Sequence, residues 1–166
     1  MSAPRRIVTG HDETGKSVVL SDAPTPKTLD IGTAAFHELW ITDQTPVQIA
    51  ATEPETTERP VRVPPPRGGV TVRFTEMAPG AESPMHRTET LDVGNVLEGE
   101  TWLLLDDGSE TRVGVGDAVV QRGTNHAWAN RADVPVRMAF VLIDGGFTDE
   151  LRSATGSVEF FDQLLE

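Results

Sequence analysis

From Val70 to Ile143 the chain is a succession of short apolar runs, none longer than eight residues, cut by turn residues at nearly regular intervals. Val70–Met77, Val93–Leu97, Thr101–Leu105, Glu110–Val113, Ala118–Gln121, His126–Ala129 and Val136–Ile143 each read as a strand. Asp106-Asp107-Gly108-Ser109 and Gly114-Val115-Gly116-Asp117 read as the tight turns between them. Many short strands at this spacing must close on one another, because an open sheet of such pieces leaves long unpaired edges. The expected fold is all-β, a sandwich or barrel. Fifteen glycines and twelve prolines agree with many turns, and no long stretch carries the 3.6-residue period of a helix.

Before this region, residues 5–10 and 17–20 read as a β-hairpin around His11–Lys16, and Ala35–Thr42 as a further strand. On that strand Phe36, Glu38 and Trp40 are expected on one face. Residues 51–69 hold Pro54, Pro60 and Pro64-Pro65-Pro66, and read as a linker or exposed loop, with a lid over a site mouth as the alternative. Residues 1–69 are thus an N-terminal β arm and Pro-rich loop within the same domain, 70–145 the barrel core, and 146–166 a C-terminal tail. In the tail, Val158, Phe161, Leu164 and Leu165 fall at helical spacing, so a short helix is expected there, capped by Ser157.

With 166 residues the chain is long enough for one sizeable core. Fourteen basic against 26 acidic residues give a formal net charge of −12, which repels phosphate backbones and anionic lipid. Neither a nucleic-acid nor a membrane partner is expected. There is no cysteine, so thiolate ligands and a cysteine nucleophile are excluded. Arg5-Arg6 is followed by no apolar segment of the kind an export signal carries, and a cytoplasmic location is expected.

Two stretches could carry chemistry. The first holds His86, Thr88 and Asp92 between Gly80 and Gly99; the second holds His126, Trp128 and Asn130 after Gly116 and Gly123. Two imidazoles and a carboxylate are the donor set of a facial three-ligand site, which leaves positions open on iron, manganese, nickel, cobalt or zinc. The same three groups can act without metal as acid, base or hydrogen-bonding partners. Trp102 and Trp128 are candidate walls of a substrate pocket, with Thr88 as a further contact, although tryptophan in a small barrel is commonly core.

The pattern Gly80-x5-His86-x-Thr88-x3-Asp92-x6-Gly99 resembles the first motif of the cupin superfamily, and Gly116, Gly123-x2-His126-x3-Asn130 resembles the second. The resemblance covers about residues 70–143 and is similar in wording to single-domain cupins that accompany small-molecule or secondary-metabolite pathways. It implies a double-stranded β-helix, or jelly-roll barrel, with a divalent metal and a small-molecule substrate inside it, and commonly a homodimer. Three departures stand out: Thr88 replaces the second histidine of His-x-His, Asp92 replaces the glutamate, and Gln121 stands where the second motif has proline. The expected activity is a metal-assisted or acid–base lyase or isomerase, with proton abstraction next to a carbonyl. A non-heme iron dioxygenase and a non-catalytic binding barrel are the alternatives.

Overall fold

The computed structural model describes residues 2–156 and 159–165. Eleven strands and one helix succeed one another along these residues: β1 Arg5–His11, β2 Ser17–Pro24, β3 Lys27–Asp30, β4 Ala34–Thr42, β5 Val70–Met77, β6 Thr90–Glu98, β7 Glu100–Leu105, β8 Glu110–Gly114, β9 Ala118–Arg122, β10 His126–Ala129, β11 Val136–Asp144 and α1 Asp149–Thr155. The strands expected from Val70 onward all form, most with an extra residue or two at an end; β6 starts three residues earlier, at Thr90. That early start matters, because it carries Asp92 inside a regular strand.

Two antiparallel sheets make the barrel. The larger has the order β3-β4-β5-β11-β6-β9, the smaller β10-β7-β8, and the β1-β2 hairpin stands apart as its own ribbon. β4 therefore belongs to the barrel sheet, paired along β5 from Ala34↔Met77 to Thr42↔Val70. Side-chain alternation sends Arg73, Thr75 and Met77 of β5, and Met138, Phe140 and Leu142 of β11, into the interior. Met77, Val96, Val113, Trp128, Val136, Met138 and Phe140 form the buried core between the sheets.

The sheet is closed tightly where β6 passes β11. A Cβ on Gly94 would lie 2.7 Å from Cε1 of Phe140, so the absence of a side chain lets the ring lie flat on the strand. Phe140 in turn meets Trp128 edge-on at 5.9 Å. Gly99 has φ +77°, and a Cβ there would approach the Pro135 carbonyl oxygen to 2.9 Å, which fixes glycine at the β6–β7 turn.

Three expectations change. The register of β4 on β5 shifts between Glu38 and Trp40, and this bulge turns Trp40 to the opposite face from Phe36 and Glu38. Phe36 lines the interior, whereas Trp40 faces the hairpin and residues 47–55. The helix falls at Asp149–Thr155, earlier than expected, with Thr148 as N-cap and Asp149 and Glu150 in its first turn. Ser157, the expected cap, lies outside the described residues, as does Val158. Residues 159–165 run extended: Phe161 N–H donates to the Arg87 carbonyl at 2.7 Å, Leu165 N–H to that of Val61 at 2.9 Å, and Val63 N–H to that of Gln163 at 3.2 Å. The helical spacing of Phe161, Leu164 and Leu165 is overridden because backbone partners from another segment are on offer, and short amphipathic helices are marginal without packing.

The Pro-rich stretch is not a free linker. Thr57 and Val61 are fully buried, Val63 lines the interior and Arg62 pairs with Asp162 of the tail. Of the two readings of residues 51–69, the covering segment is the one that matches this packing.

Gly94→Ala places a methyl against Phe140, and an overpacked core typically loses about 1–3 kcal/mol. Urea unfolding should show a loss in that range, with the native circular-dichroism spectrum retained; an unchanged midpoint would mean that the ring has free room to move.

Candidate functional site

The segment from Ala81 to His86 runs antiparallel beside β10 and extends the smaller sheet. Asn130 N–H donates to the Ala81 carbonyl at 2.8 Å, and Ser83 N–H to that of Trp128 at 2.9 Å. The ladder ends in a reciprocal pair, His86 N–H to the His126 carbonyl and His126 N–H to the His86 carbonyl, both 2.8 Å. Directly opposite residues of an antiparallel pair hold their side chains on one face. The two imidazole rings accordingly lie with centroids 4.4 Å apart. Asn130 secures the far end: its side-chain nitrogen reaches the carbonyl oxygens of Met77, Ala78 and Val134 at 2.9–3.1 Å, as expected for a strand-end residue that bonds backbone.

Each imidazole is oriented by a carbonyl two residues earlier: His86 Nδ1 lies 2.9 Å from the Pro84 oxygen and His126 Nδ1 3.0 Å from the Thr124 oxygen. A carbonyl oxygen only accepts, so both Nδ1 atoms carry the hydrogen and both Nε2 atoms are left as lone-pair acceptors. Burial pushes the His126 pKa down to about 4, aided by the neighbouring His86, while the Thr124 carbonyl opposes the shift. His86 is lowered too, chiefly by burial. Both rings are neutral at neutral pH.

Both histidines border a cavity of about 300 Å³ between the sheets. Its walls are apolar, from Phe36, Met77, Trp128, Met138, Phe140 and Leu142, and Phe161 and Leu165 of the tail complete it. Phe161 meets the His86 ring at 5.3 Å. Among the polar groups at the cavity, Thr88, Asp92, Arg73 and Gln121 join the two imidazoles. Asp92 is buried, and burial raises its pKa to about 6, against the opposing effects of Thr90 and Arg73. Arg73 is buried and ion-paired with Glu38 at 3.1 Å, and donates to the Arg62 carbonyl at 2.6 Å. Thr88 Oγ1 lies 2.7 Å from Thr90 Oγ1.

The structure thus gathers His86, Thr88, Asp92, His126 and Trp128 around one space. It does not bring Trp102 there: that indole lies under the Arg131 guanidinium, 4.8 Å from the ring centre, on the other side of the smaller sheet. Period-two alternation accounts for the correction, since Thr101 and Trp102 are adjacent on β7 and Thr101 is the fully buried one. Phe161, Leu165, Val63 and Arg73 were not singled out in the sequence. Arg73 had no legible signal, because it falls with Thr71 and Thr75 on the side of β5 that alternation reads as polar; the tail residues had none once helical spacing was read.

The fit of a metal is uneven. The imidazole pair presents two unprotonated nitrogens, each ring oriented as a metal ligand's is through its other nitrogen. Among the described residues, however, no group of three or more His, Asp and Glu side chains is close enough to hold a metal ion. Thr88, at the position where the resemblance would have a histidine, is bonded to Thr90. The residues as placed do not make a three-ligand centre.

Comparison with known proteins agrees with the architecture. The cupin-domain family model matches residues 73–143. Phomopsin biosynthesis cluster protein D of Diaporthe leptostromiformis is 38% identical over 151 residues, covering 87% of this chain and 80% of that protein. The chain belongs to the cupin family. A cupin-domain-containing oxidoreductase of Aspergillus ruber is 38% identical over 148 residues, covering 84% of this chain and 71% of its own. The cupin domain of Schizosaccharomyces pombe Cnp3 superposes with a TM-score of 0.52 over 94% of this chain and 96% of that one, at 15% identity, a likeness of fold alone. In this cupin no helix among the described residues is long and apolar enough to cross a membrane.

The site's burial shows up in stability. Asp92, with a folded pKa near 6 against about 4 unfolded, takes up a proton in the folded state first. Its contribution is fully present below pH ~4 and lost as pH rises through about 6. His126 has the opposite sign: held near 4 against about 6.5 unfolded, it costs stability as pH falls through that window. Asp92→Asn should therefore raise the thermal midpoint at pH 7.5, by the equivalent of about 1–3 kcal/mol, and the advantage should vanish below pH ~4. Equal midpoints at pH 7.5 would contradict a buried charge at this position.

Proposed function

We propose that this cupin is a small-molecule enzyme that moves a proton at a carbon next to a carbonyl, as an isomerase or lyase, inside the apolar cavity. The observation that carries the reading is Asp92, a buried carboxylate raised to about 6 and bordering the same cavity as two neutral imidazoles. General bases work best with a pKa near the working pH, and the usual tuning is burial. By that criterion Asp92 suits the role better than His126, whose value near 4 makes it a weak base. The imidazole Nε2 atoms then accept hydrogen bonds from substrate hydroxyl groups and fix its orientation, while the walls keep water from the reacting carbon. Such a step is redox-neutral, and the proton taken by Asp92 can be returned to another atom of the same molecule.

The test uses a simple ketone, acetophenone, in deuterated buffer, with exchange of its methyl protons followed by NMR. The protein should accelerate exchange, with the rate rising through pH ~6 to a plateau. Asp92→Asn should lower the rate about a hundredfold or more. A wild-type rate equal to that of buffer sinks the reading.

The imidazole pair favours a second reading, in which a divalent metal would be held by His86 and His126 with the remaining donors from substrate and water. The word oxidoreductase in the name of the Aspergillus ruber relative is compatible with it. Bound in this way, a metal supplies Lewis-acid or redox chemistry. Elemental analysis of protein purified without chelators is the check. Near-stoichiometric metal, lost in His126→Ala, supports this second reading; less than about a tenth of an equivalent after reconstitution removes it.

A further inference from the structure

At the cavity wall, Asp92 of β6 and Gln121 of β9 are direct cross-strand partners. Both are 4% exposed and both border the cavity. Asp92 Oδ1 has no hydrogen-bond partner, and neither has Gln121 Nε2. Partners of this kind hold their Cβ atoms about 5 Å apart. One buried acceptor and one buried donor therefore stand side by side, unmet, in a cavity whose walls are largely aromatic and aliphatic. Arg73, whose charge acts on Asp92, is already committed through one terminal nitrogen to Glu38 and to the Arg62 carbonyl, and its Nε has no partner.

Buried polar atoms without partners are costly and rare, and in a cavity they mark where a ligand's own polar atoms belong. We infer that Asp92 and Gln121 form a paired recognition edge for a compact, apolar, uncharged molecule that presents an O–H or N–H beside a carbonyl oxygen. Asp92 Oδ1 accepts from the ligand's hydrogen, and Gln121 Nε2 donates to its carbonyl oxygen. The pattern suits a hydroxy-carbonyl compound or an amide. It disfavours an ester, which leaves Asp92 unmet, and a carboxylate, which sets a second negative charge against it. This rests on the reading of the cavity as a small-molecule site and adds the class of molecule; it also places Gln121, the residue standing where the second motif has proline, in contact with substrate.

The experiment is a protein-observed NMR titration of the full chain at pH 7.5 with benzamide, methyl benzoate and toluene, read from the Trp128 indole resonance at the cavity wall. All three should shift that resonance. Benzamide should bind at least roughly tenfold more tightly than methyl benzoate, since only the amide satisfies both atoms. Gln121→Met, similar in volume and without the donor, should erase most of that advantage. Benzamide binding no more tightly than the ester in the wild-type protein overturns the edge, whatever the variant does. So does an advantage that persists undiminished in folded Gln121→Met. If none of the three shifts the Trp128 resonance, the cavity is no small-molecule site and the proposed function falls with the edge, which separates the two failures.

Discussion

Two backbone hydrogen bonds between His86 and His126 hold the functional end of the barrel together. Forty residues apart in sequence, the two become direct neighbours because the segment after Met77 turns back along β10 and adds itself to the smaller sheet. The contact is backbone to backbone, so it fixes position whatever the side chains are. The choice of histidine at both places then yields two rings at 4.4 Å, each held by its own carbonyl. Geometry comes from the ladder and chemistry from the residue type. The surrounding burial decides which protonation state each group takes.

That burial works in opposite directions on the two kinds of group. Removing water penalises charge, so the imidazole is pushed down and the carboxyl up, and both move toward neutrality. Near neutral pH the charges left at the site are Asp92, ionised above about 6, and Arg73, which Glu38 balances. An apolar molecule with one polar edge is the kind of guest such a space suits, whereas a phosphorylated or polyanionic one is not. The net charge of −12 argues in the same direction from the outside.

How much of this was legible in the sequence depends on the range of the interactions involved. The strands of the barrel were, because alternation and turn chemistry are local; β8 to β11 fall within a residue of their expected ends. His86, Asp92, His126 and Thr88 were legible as one site because each is embedded in a spaced glycine pattern. Trp40 was misplaced by a bulge, an event set by pairing with β5 and invisible in β4 itself. Trp102 was misplaced by the phase of alternation on a strand whose two faces are both rich in apolar residues. The tail was misread as a helix because its partners, the backbone of residues 61–63 and 87, lie far away in sequence. The places of Arg73 and Gln121 at the cavity wall emerge only when four strands are laid side by side.

The extended run from Glu159 to Leu165 forms a strap. It is fastened by a handful of bonds near the chain's end, and Phe161 and Leu165 cover the cavity without belonging to the core cluster. Elements of that description let go locally at a small fraction of the free energy of global unfolding. The contacts that cover the cavity are therefore not the ones that hold the barrel together, so a change in the strap can alter the cover without touching the core.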